Sequence, residues 1–478
     1  MKKSLVALAV LAASGAYAQS SVTLFGIIEA TTDIGYNRTQ ESTTTTNTFN
    51  AAGGGVSSTV SSKNATQKNG MRIQDGSDQG SGSSRVGFRG TEDLGGGLKA
   101  NFLLEMGLRI DDGCTTLSAA GGCDNGGNSA NSGGSTFGRN AWGGLSGAFG
   151  EVRLGRQVVG SFGVQGNSGS SGASNGLYDA TTASLIPMGN VRFSNAIRYL
   201  SPNLGGFTGS LMFAAPETSV GGAFGPTTTT DTSTTGVVTT TGTSRRTAVD
   251  LALEYANGPA YVGFGYNKRD TANLGTSSTP GLTGTTAANN GALTFPNAFV
   301  FPFVPLSPAT VTGYTIGGAY DLGVVKPFIN YTRQKSDNSG VTTFTGIVPG
   351  TNFSNAISGD VNSRALSIGL RAPVGAFTVI AGYGRLNQTT NASTVFSNAA
   401  GTVTTTGRVE EKRDLFQLGT QYALSKRTLV EANYGYNRLT SNGSAVQTTG
   451  PAAAGRTEQF VNGKDRVSAL NVGLKHSF

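Results

Sequence analysis

Few side chains in this 478-residue chain have catalytic or metal-binding chemistry. His476 is the single histidine, and it lies in the apolar phase of an alternating segment. Cys114 and Cys123 are the two cysteines, and their spacing differs from the C-x-x-C pattern of redox pairs. No His, Cys and carboxylate residues cluster at the spacing of a metal site or a nucleophile. We therefore predict no enzyme, no metal and no cofactor, and one small disulfide loop joining Cys114 and Cys123.

Cationic side chains recur at alternate positions of segments that read as extended. Arg85 and Arg89 alternate with Val86 and Phe88, so in a strand the two pairs point to opposite faces. The other basic residues in the polar phase of their segments are Lys99, Arg153, Arg192 and Arg198. Acidic residues occupy the same phase elsewhere, namely Glu29, Glu105, Glu151, Asp250 and Glu254. One face is therefore apolar, and the other carries charges of both signs.

This period-2 alternation returns along the chain and predicts sixteen strands, beginning with 21–36 and ending with 465–478. Seven connections are short, at 93–97, 146–150, 201–206, 256–259, 321–323, 373–375 and 423–426. They alternate with eight long polar segments, at 37–83, 110–135, 158–190, 214–245, 270–310, 334–363, 386–412 and 438–464. Tight turns on one side and long loops on the other predict an all-β, antiparallel, up-and-down barrel that crosses a membrane. The barrel must close because an open edge would leave unpaired backbone groups in lipid.

The N-terminal segment predicts export. Lys2 and Lys3 precede the apolar run 5–13 and an A-x-A site at 16–18, so residues 1–18 read as a cleaved signal peptide. Residues 19–478 then form a single barrel domain. Removal of two of the 35 basic residues leaves 33 against 27 acidic ones, a net charge of +6. There is no basic run with interleaved aromatics, so nucleic acid is not an expected partner.

With these features the chain resembles the Gram-negative general-diffusion porin family over nearly all of residues 19–478. The motifs that carry the resemblance are SVTLFG at 21–26, SRVGFRGTEDLG at 84–95, FGEVRLGRQ at 149–157, NAIRYLSP at 195–202 and the final Phe478. The resemblance implies a sixteen-stranded homotrimeric barrel in the outer membrane, in contact with its lipid and lipopolysaccharide. It also implies a third extracellular loop folded into the pore, and a terminal Phe478 read by the barrel assembly machinery.

The resemblance further implies a passive channel for ions and small hydrophilic solutes, with wall arginines opposite the third loop. It assigns these roles to Arg89, Arg153 and Arg192, with Arg85, Lys99 and Arg198 nearby. The third loop, 158–190, contains one acid, Asp179, and no Lys or Arg. We therefore expect a positive constriction that prefers anions, since a narrow pore holds a solute within the screening length of wall charges.

Two alternatives stay open at this stage. A substrate-specific outer-membrane channel would share every feature above. A secreted β-rich adhesin would instead show self-similarity at a fixed period, whereas here short turns alternate with long loops.

Overall fold

The computed structural model describes residues 21–49, 56–74, 84–108, 110, 136–169, 179–188, 191–215, 226–233, 236–243, 247–271, 309–345, 352–398, 401–449 and 456–478. The predicted signal peptide at 1–18 and the predicted disulfide between Cys114 and Cys123 lie outside these residues.

The described chain is almost entirely β-strand. Its nineteen strands are β1 (Ser21–Phe49), β2 (Val56–Gln74), β3 (Arg85–Gly95), β4 (Leu98–Gly107), β5 (Asn140–Gly147), β6 (Gly150–Val158), β7 (Arg192–Leu200), β8 (Phe207–Ala214), β9 (Pro226–Ser233), β10 (Gly236–Thr243), β11 (Ala248–Asn257), β12 (Ala260–Thr271), β13 (Ala309–Tyr320), β14 (Lys326–Thr345), β15 (Asn352–Val374), β16 (Phe377–Asn398), β17 (Gly401–Ala423), β18 (Thr428–Thr449) and β19 (Arg456–Ser477). Two short helices, α1 (Gly160–Asn167) and α2 (Thr182–Leu185), lie between β6 and β7.

Sixteen of these strands form a closed antiparallel barrel, which confirms the predicted strand number and architecture. Each barrel strand pairs with its neighbours in chain order, and β1 closes the ring by pairing with both β3 and β19. The remaining three strands stand outside the ring. β2 pairs with the later half of β1, while β9 and β10 form a hairpin that pairs with the end of β14.

The barrel is inside-out relative to a water-soluble domain. Large apolar side chains of the outward phase are exposed, such as Leu24 at 54% and Leu154 at 56%. Polar and charged side chains of the opposite phase are buried, such as Glu29 at 1% and Asn330 at 0%. A barrel in lipid requires this arrangement because its outer face contacts hydrocarbon and its lumen contacts water. Among the described residues, no helix has the length and apolar character needed to cross a bilayer.

All seven predicted tight turns are present where the sequence places them. In the first of them, Gly96 and Gly97 link β3 to β4 with φ angles of 61° and 81°, a region that residues with a Cβ seldom adopt. Where β1 meets the end of the chain, backbone N–H and C=O groups of Gly26 and Phe478 form two hydrogen bonds of 3.1 Å. A Cβ on Gly26 would stand 2.4 Å from Cζ of Phe478, so the absence of a side chain there makes room for the terminal ring.

The strands on one side of the barrel extend much further than predicted. β1 and β14–β19 contain between 20 and 29 residues, although about 9–11 suffice to cross a bilayer. The prediction that 37–83, 334–363, 386–412 and 438–464 are loops is therefore largely wrong for their described residues. These segments are rich in Thr, a β-branched residue that favours strands, and the register of the barrel continues into them.

Candidate functional site

Strand register shows which charged side chains share the inner face of the barrel. Residues directly opposite each other on paired strands point to the same face. Arg153 pairs with Arg198, which pairs with Met212, which pairs with Asp250. Asp250 in turn contacts the segment between β6 and β7, so these side chains point into the lumen. By the same pairing, Arg89 and Trp142 lie opposite Leu103 and share its face.

An arginine cluster surrounds Glu105 where β3, β4 and β5 meet their long connections. Arg139 Nε donates a hydrogen bond to Glu105 Oε1, and Arg85 Nε lies 3.8 Å from the same oxygen. Asn140 Nδ2 donates to Glu105 Oε2 at 3.1 Å. Arg192 belongs to this cluster because it interacts electrostatically with Arg139, Glu105 and Arg85. One carboxylate therefore holds several guanidinium groups together.

Arg89 and Arg153 lie nearer the short-turn side, each beside an aromatic ring. Arg153 Cζ is 4.2 Å from the centroid of Trp142, and Arg153 Nη2 donates to Glu151 Oε2 at 2.6 Å. Arg89 Cζ is 5.4 Å from the centroid of Phe25. Within the described residues, Arg89 is exposed and has no carboxylate at ion-pair distance. Arg89 can therefore face a solute directly.

The two other predicted wall cations have different surroundings. Lys99 pairs with Ser146 and Asp93, close to the turn that joins β3 to β4, so it stands apart from the cluster. Arg198 Nη1 donates to the carbonyl oxygen of Val158 at 2.9 Å, and its Nη2 donates to Ser210 Oγ at 3.1 Å. Arg198 thus fixes the end of β6, where the chain enters the third loop.

The described parts of that loop pack against the polar face of β11–β17. Asp250 accepts hydrogen bonds from the backbone N–H of Ser161 at 3.1 Å and from the hydroxyl of Ser161. Gln165 Nε2 donates to Thr332 Oγ1 and to the carbonyl of Ile186, both at 2.9 Å. The backbone N–H of Ala180 donates to Gln417 Oε1 at 3.2 Å. The segment is therefore tied to successive strands along one wall.

Glycines in the strands beneath this segment make room for it. A Cβ on Gly265 would stand 2.7 Å from Cα of Ser161, and one on Gly317 would stand 2.2 Å from Oγ of Ser168. A Cβ on Gly384 would stand 2.9 Å from the carbonyl oxygen of Ala180. Since the contacts at Gly265 and Gly384 are with backbone atoms, a side chain at either position would displace the segment.

Asp179, the predicted pore-loop acid, is only 7% exposed. Its Oδ1 accepts a hydrogen bond from the backbone N–H of Thr181 at 3.2 Å. Its carboxylate thus caps a turn of its own segment. Throughout the described part of the chain, no three His, Cys, Asp or Glu side chains group closely enough to hold a metal ion.

Some residues of the site could be anticipated from the sequence and others could not. Trp142 falls in the inward phase of its predicted strand, so the alternation was a usable signal for it. Arg139 lies just before β5, where the phase of the strand does not apply, so its contact with Glu105 had no local signal.

The sequence and fold of this chain are similar to those of known outer-membrane proteins. A family model described as Gram-negative porin matches residues 4–442. Outer membrane porin protein 32 of Delftia acidovorans is 28% identical over 485 residues and covers 100% of both chains. An outer membrane porin protein of Bordetella pertussis is 28% identical over 489 residues, also with full coverage of both. A solved anion-selective porin from Comamonas acidovorans matches 96% of this chain and 100% of its own at 22% identity, with a TM-score of 0.46.

Proposed function

Since the chain belongs to the Gram-negative porin family, we propose that it is a passive outer-membrane channel whose lumen arginines make it prefer anions. The protein is a porin of the outer membrane, through which small hydrophilic solutes and ions diffuse, and it is not an enzyme. Anion preference and the residues responsible are our additions to that assignment.

The observation that carries the proposal is the excess of guanidinium groups at one side of the lumen. Arg85 and Arg139 both lie at ion-pair distance from one carboxylate, that of Glu105. Arg89 is exposed without an ion pair among the described residues. The third loop adds one acid, Asp179, and no cation. Asp179 is buried and accepts a hydrogen bond from the backbone N–H of Thr181 in its own segment.

Other acidic side chains of the lumen have ion-pair or hydrogen-bond partners that weaken their electrostatic attraction for cations. Glu29 lies 3.0 Å from Lys475 Nζ on the opposite side of the ring closure. Asp250 accepts hydrogen bonds from Ser161 and Asn267, and Glu254 accepts from Asn167 and Tyr261. The field that a passing ion meets near the arginine cluster is therefore positive.

Distance decides how strongly these charges act. Salt screens charges beyond about 8 Å at physiological ionic strength, so surface charges at the rim contribute little. A unit pair at 4 Å is worth about 1 kcal/mol in bulk water and about 4 kcal/mol at an effective dielectric of 20. Confined pore water lies between these limits. An energy near 1 kcal/mol already changes the relative occupancy of anions and cations about fivefold.

The test is a reversal-potential measurement on the Arg89→Gln, Arg153→Gln double variant in a planar bilayer with a salt gradient. We expect the potential to move toward cation preference, because two charges are removed and Glu151 loses its partner at 2.6 Å. Lys326→Gln is the matched control, since Lys326 lies on β14 and beside a different ring, that of Phe328. An unchanged potential in the double variant, or an equal change in the control, contradicts the proposal.

The proposal includes partners and processing that follow from the family resemblance. We infer a homotrimer in contact with outer-membrane lipid and lipopolysaccharide, inserted by the barrel assembly machinery through Phe478. We also infer removal of residues 1–18 on export. Crosslinking of the membrane-embedded protein and N-terminal sequencing of the mature chain test these two points.

A further inference from the structure

Four apolar side chains stand on the lumen face of the barrel wall, where a water-filled channel usually presents polar groups. They are Phe25 and Ile27 of β1, Leu103 of β4 and Trp142 of β5. All four line one groove together with Arg85, Arg89, Asn101, Glu105 and Glu151. We call these residues the aromatic groove. Hydration of these apolar surfaces is unfavourable, and all four side chains stay partly exposed among the described residues.

Register makes the groove a continuous surface. Leu103 lies opposite Arg89 on one side and opposite Trp142 on the other. Adjacent strands are about 4.8 Å apart, so Arg89 and Trp142 stand on strands about 10 Å apart with Leu103 between them. The ring of Phe25 covers Gly87, since a Cβ there would stand 2.6 Å from its Cζ. The apolar floor is therefore bordered by the guanidinium of Arg89.

The cations at the groove, Arg85 and Arg89 within it and Arg153 beside it, differ in what they can offer a solute. Arg85 Nε lies 3.8 Å from Glu105 Oε1. Arg153 is engaged by Glu151 at 2.6 Å and by the ring of Trp142. Arg89 is exposed, and its partner within the described residues is the Phe25 ring. A planar guanidinium in this state can bind a carboxylate through two parallel hydrogen bonds. The carboxylate of Glu151 at the other side of the groove repels a second negative charge.

We propose that the aromatic groove is a binding site for small aromatic monocarboxylates on their way through the channel. The carboxylate binds Arg89, and the ring lies on Leu103 and Trp142. This inference rests on the proposed channel function and adds a solute class to it. An aromatic ring removes the groove's apolar surface from water, and a single carboxylate matches one free guanidinium.

The polar rim fits the same solute. Asn101 Nδ2 donates to Ser146 Oγ at 2.9 Å and to Glu151 Oε1 at 3.4 Å, and Asn101 Oδ1 accepts from Thr91 Oγ1 at 3.1 Å. These side chains offer a neutral sugar fewer free groups than a carbohydrate site needs. An inorganic anion would use Arg89 but would gain nothing from the four apolar side chains. Neutral sugars and inorganic anions are therefore the alternatives that the experiment must separate.

Trp142 is the only tryptophan in the chain, so its fluorescence reports directly on the groove. The experiment uses the folded full-length protein in detergent and titrates it with benzoate, acetate, benzyl alcohol, glucose and chloride. We expect a saturable fluorescence change with benzoate at concentrations at which the other four have no effect. In planar bilayers, benzoate should interrupt the chloride current at those same concentrations.

Two variants and one control assign the effect to the groove. Arg89→Gln should weaken benzoate binding about tenfold, because a charge-assisted bidentate contact is lost. Leu103→Ser should weaken it severalfold through loss of the apolar floor. Lys326→Gln removes a lumen cation beside another ring, that of Phe328, and should leave benzoate binding unchanged. Heat-modifiable gel migration verifies that each variant has folded.

The outcomes separate this inference from the proposed function. Equal responses to benzoate and acetate, to benzoate and benzyl alcohol, or to benzoate and glucose overturn the aromatic groove as a carboxylate site. Equal weakening in Arg89→Gln and Lys326→Gln overturns it as well, because binding would then follow overall lumen charge. If the protein conducts no chloride at all, the channel function fails, whereas a normal chloride current without benzoate binding removes only this inference.

Discussion

Replacement of Asp250 by alanine should release the start of the third loop from the barrel wall. Asp250 is 1% exposed and accepts two hydrogen bonds from Ser161, one from the backbone N–H at 3.1 Å and one from the hydroxyl. It also accepts one from Asn267 at 3.1 Å, which belongs to the wall. Only the two bonds from Ser161 connect the loop to the wall through this carboxylate.

The size of the effect follows from those two bonds. A hydrogen bond to a charged group contributes about 1.5–3 kcal/mol. Lumen water can replace part of each lost hydrogen bond, so we use the lower value of about 1.5 kcal/mol for each. Loss of the two hydrogen bonds from Ser161 then costs about 3 kcal/mol. Each 1.4 kcal/mol is a factor of ten in an equilibrium constant, so opening of the first turn of α1 should become roughly 100-fold more frequent.

Amide hydrogen exchange measures this opening directly. Exchange of the amides in 160–167 should accelerate about 100-fold in Asp250→Ala, because exchange tracks local opening. Asp250→Asn retains an acceptor for the Ser161 N–H and should accelerate exchange less. The open-channel current should become noisier in the same order.

The matched control is Asp414→Ala. Asp414 also accepts two side-chain hydrogen bonds, from Tyr383 and Arg385 at 2.7 Å each, but neither partner belongs to the third loop. Exchange in 160–167 should stay at the wild-type rate in this variant. Wild-type exchange in Asp250→Ala, or equal acceleration in both variants, would refute the anchoring role of Asp250.

Three further changes test other parts of the structure. Gly265→Val places a side chain against the loop backbone and should displace α1, which limited proteolysis of the folded protein would detect as new cleavage in the third loop. Gly26→Val removes the space that the ring of Phe478 occupies and should lower the yield of heat-modifiable barrel, with little effect if barrel closure does not depend on that ring. Glu105→Gln removes the carboxylate that Arg139 contacts and should raise anion preference in a reversal-potential measurement, since the cluster loses a negative charge.

The strand pattern and the turns could be predicted because their signals are local. The alternation of Arg85 and Arg89 with Val86 and Phe88 assigns each side chain to a face before any partner strand is known. The turns are marked by glycines such as Gly96 and Gly97 that tolerate positive φ angles. Strand ends were less predictable, because the Thr-rich extensions become strands only when a paired neighbour continues beside them.

The residues of the site likewise fall into those that the sequence indicated and those that it did not. Sequence phase indicated that Arg85, Arg89 and Arg153 share the charged face, and register places them on the lumen wall. Sequence phase did not indicate the hydrogen bond that Arg198 donates to the carbonyl oxygen of Val158, because that bond joins residues 40 positions apart in the chain.

The helix α1 shows what only the tertiary structure decided. Its sequence, GSFGVQGN, contains three glycines, each of which costs about 1 kcal/mol relative to alanine in a helix, so local propensity argues against it. It forms because Asp250 and Thr332 bind its side chains and Gly265 leaves space beneath it. The sequence by itself determined which face of each strand meets water and where the chain turns, since both depend on neighbouring residues. The position of the loop and the pairing of each arginine depend on ring closure, which brings residues far apart in the chain to one wall.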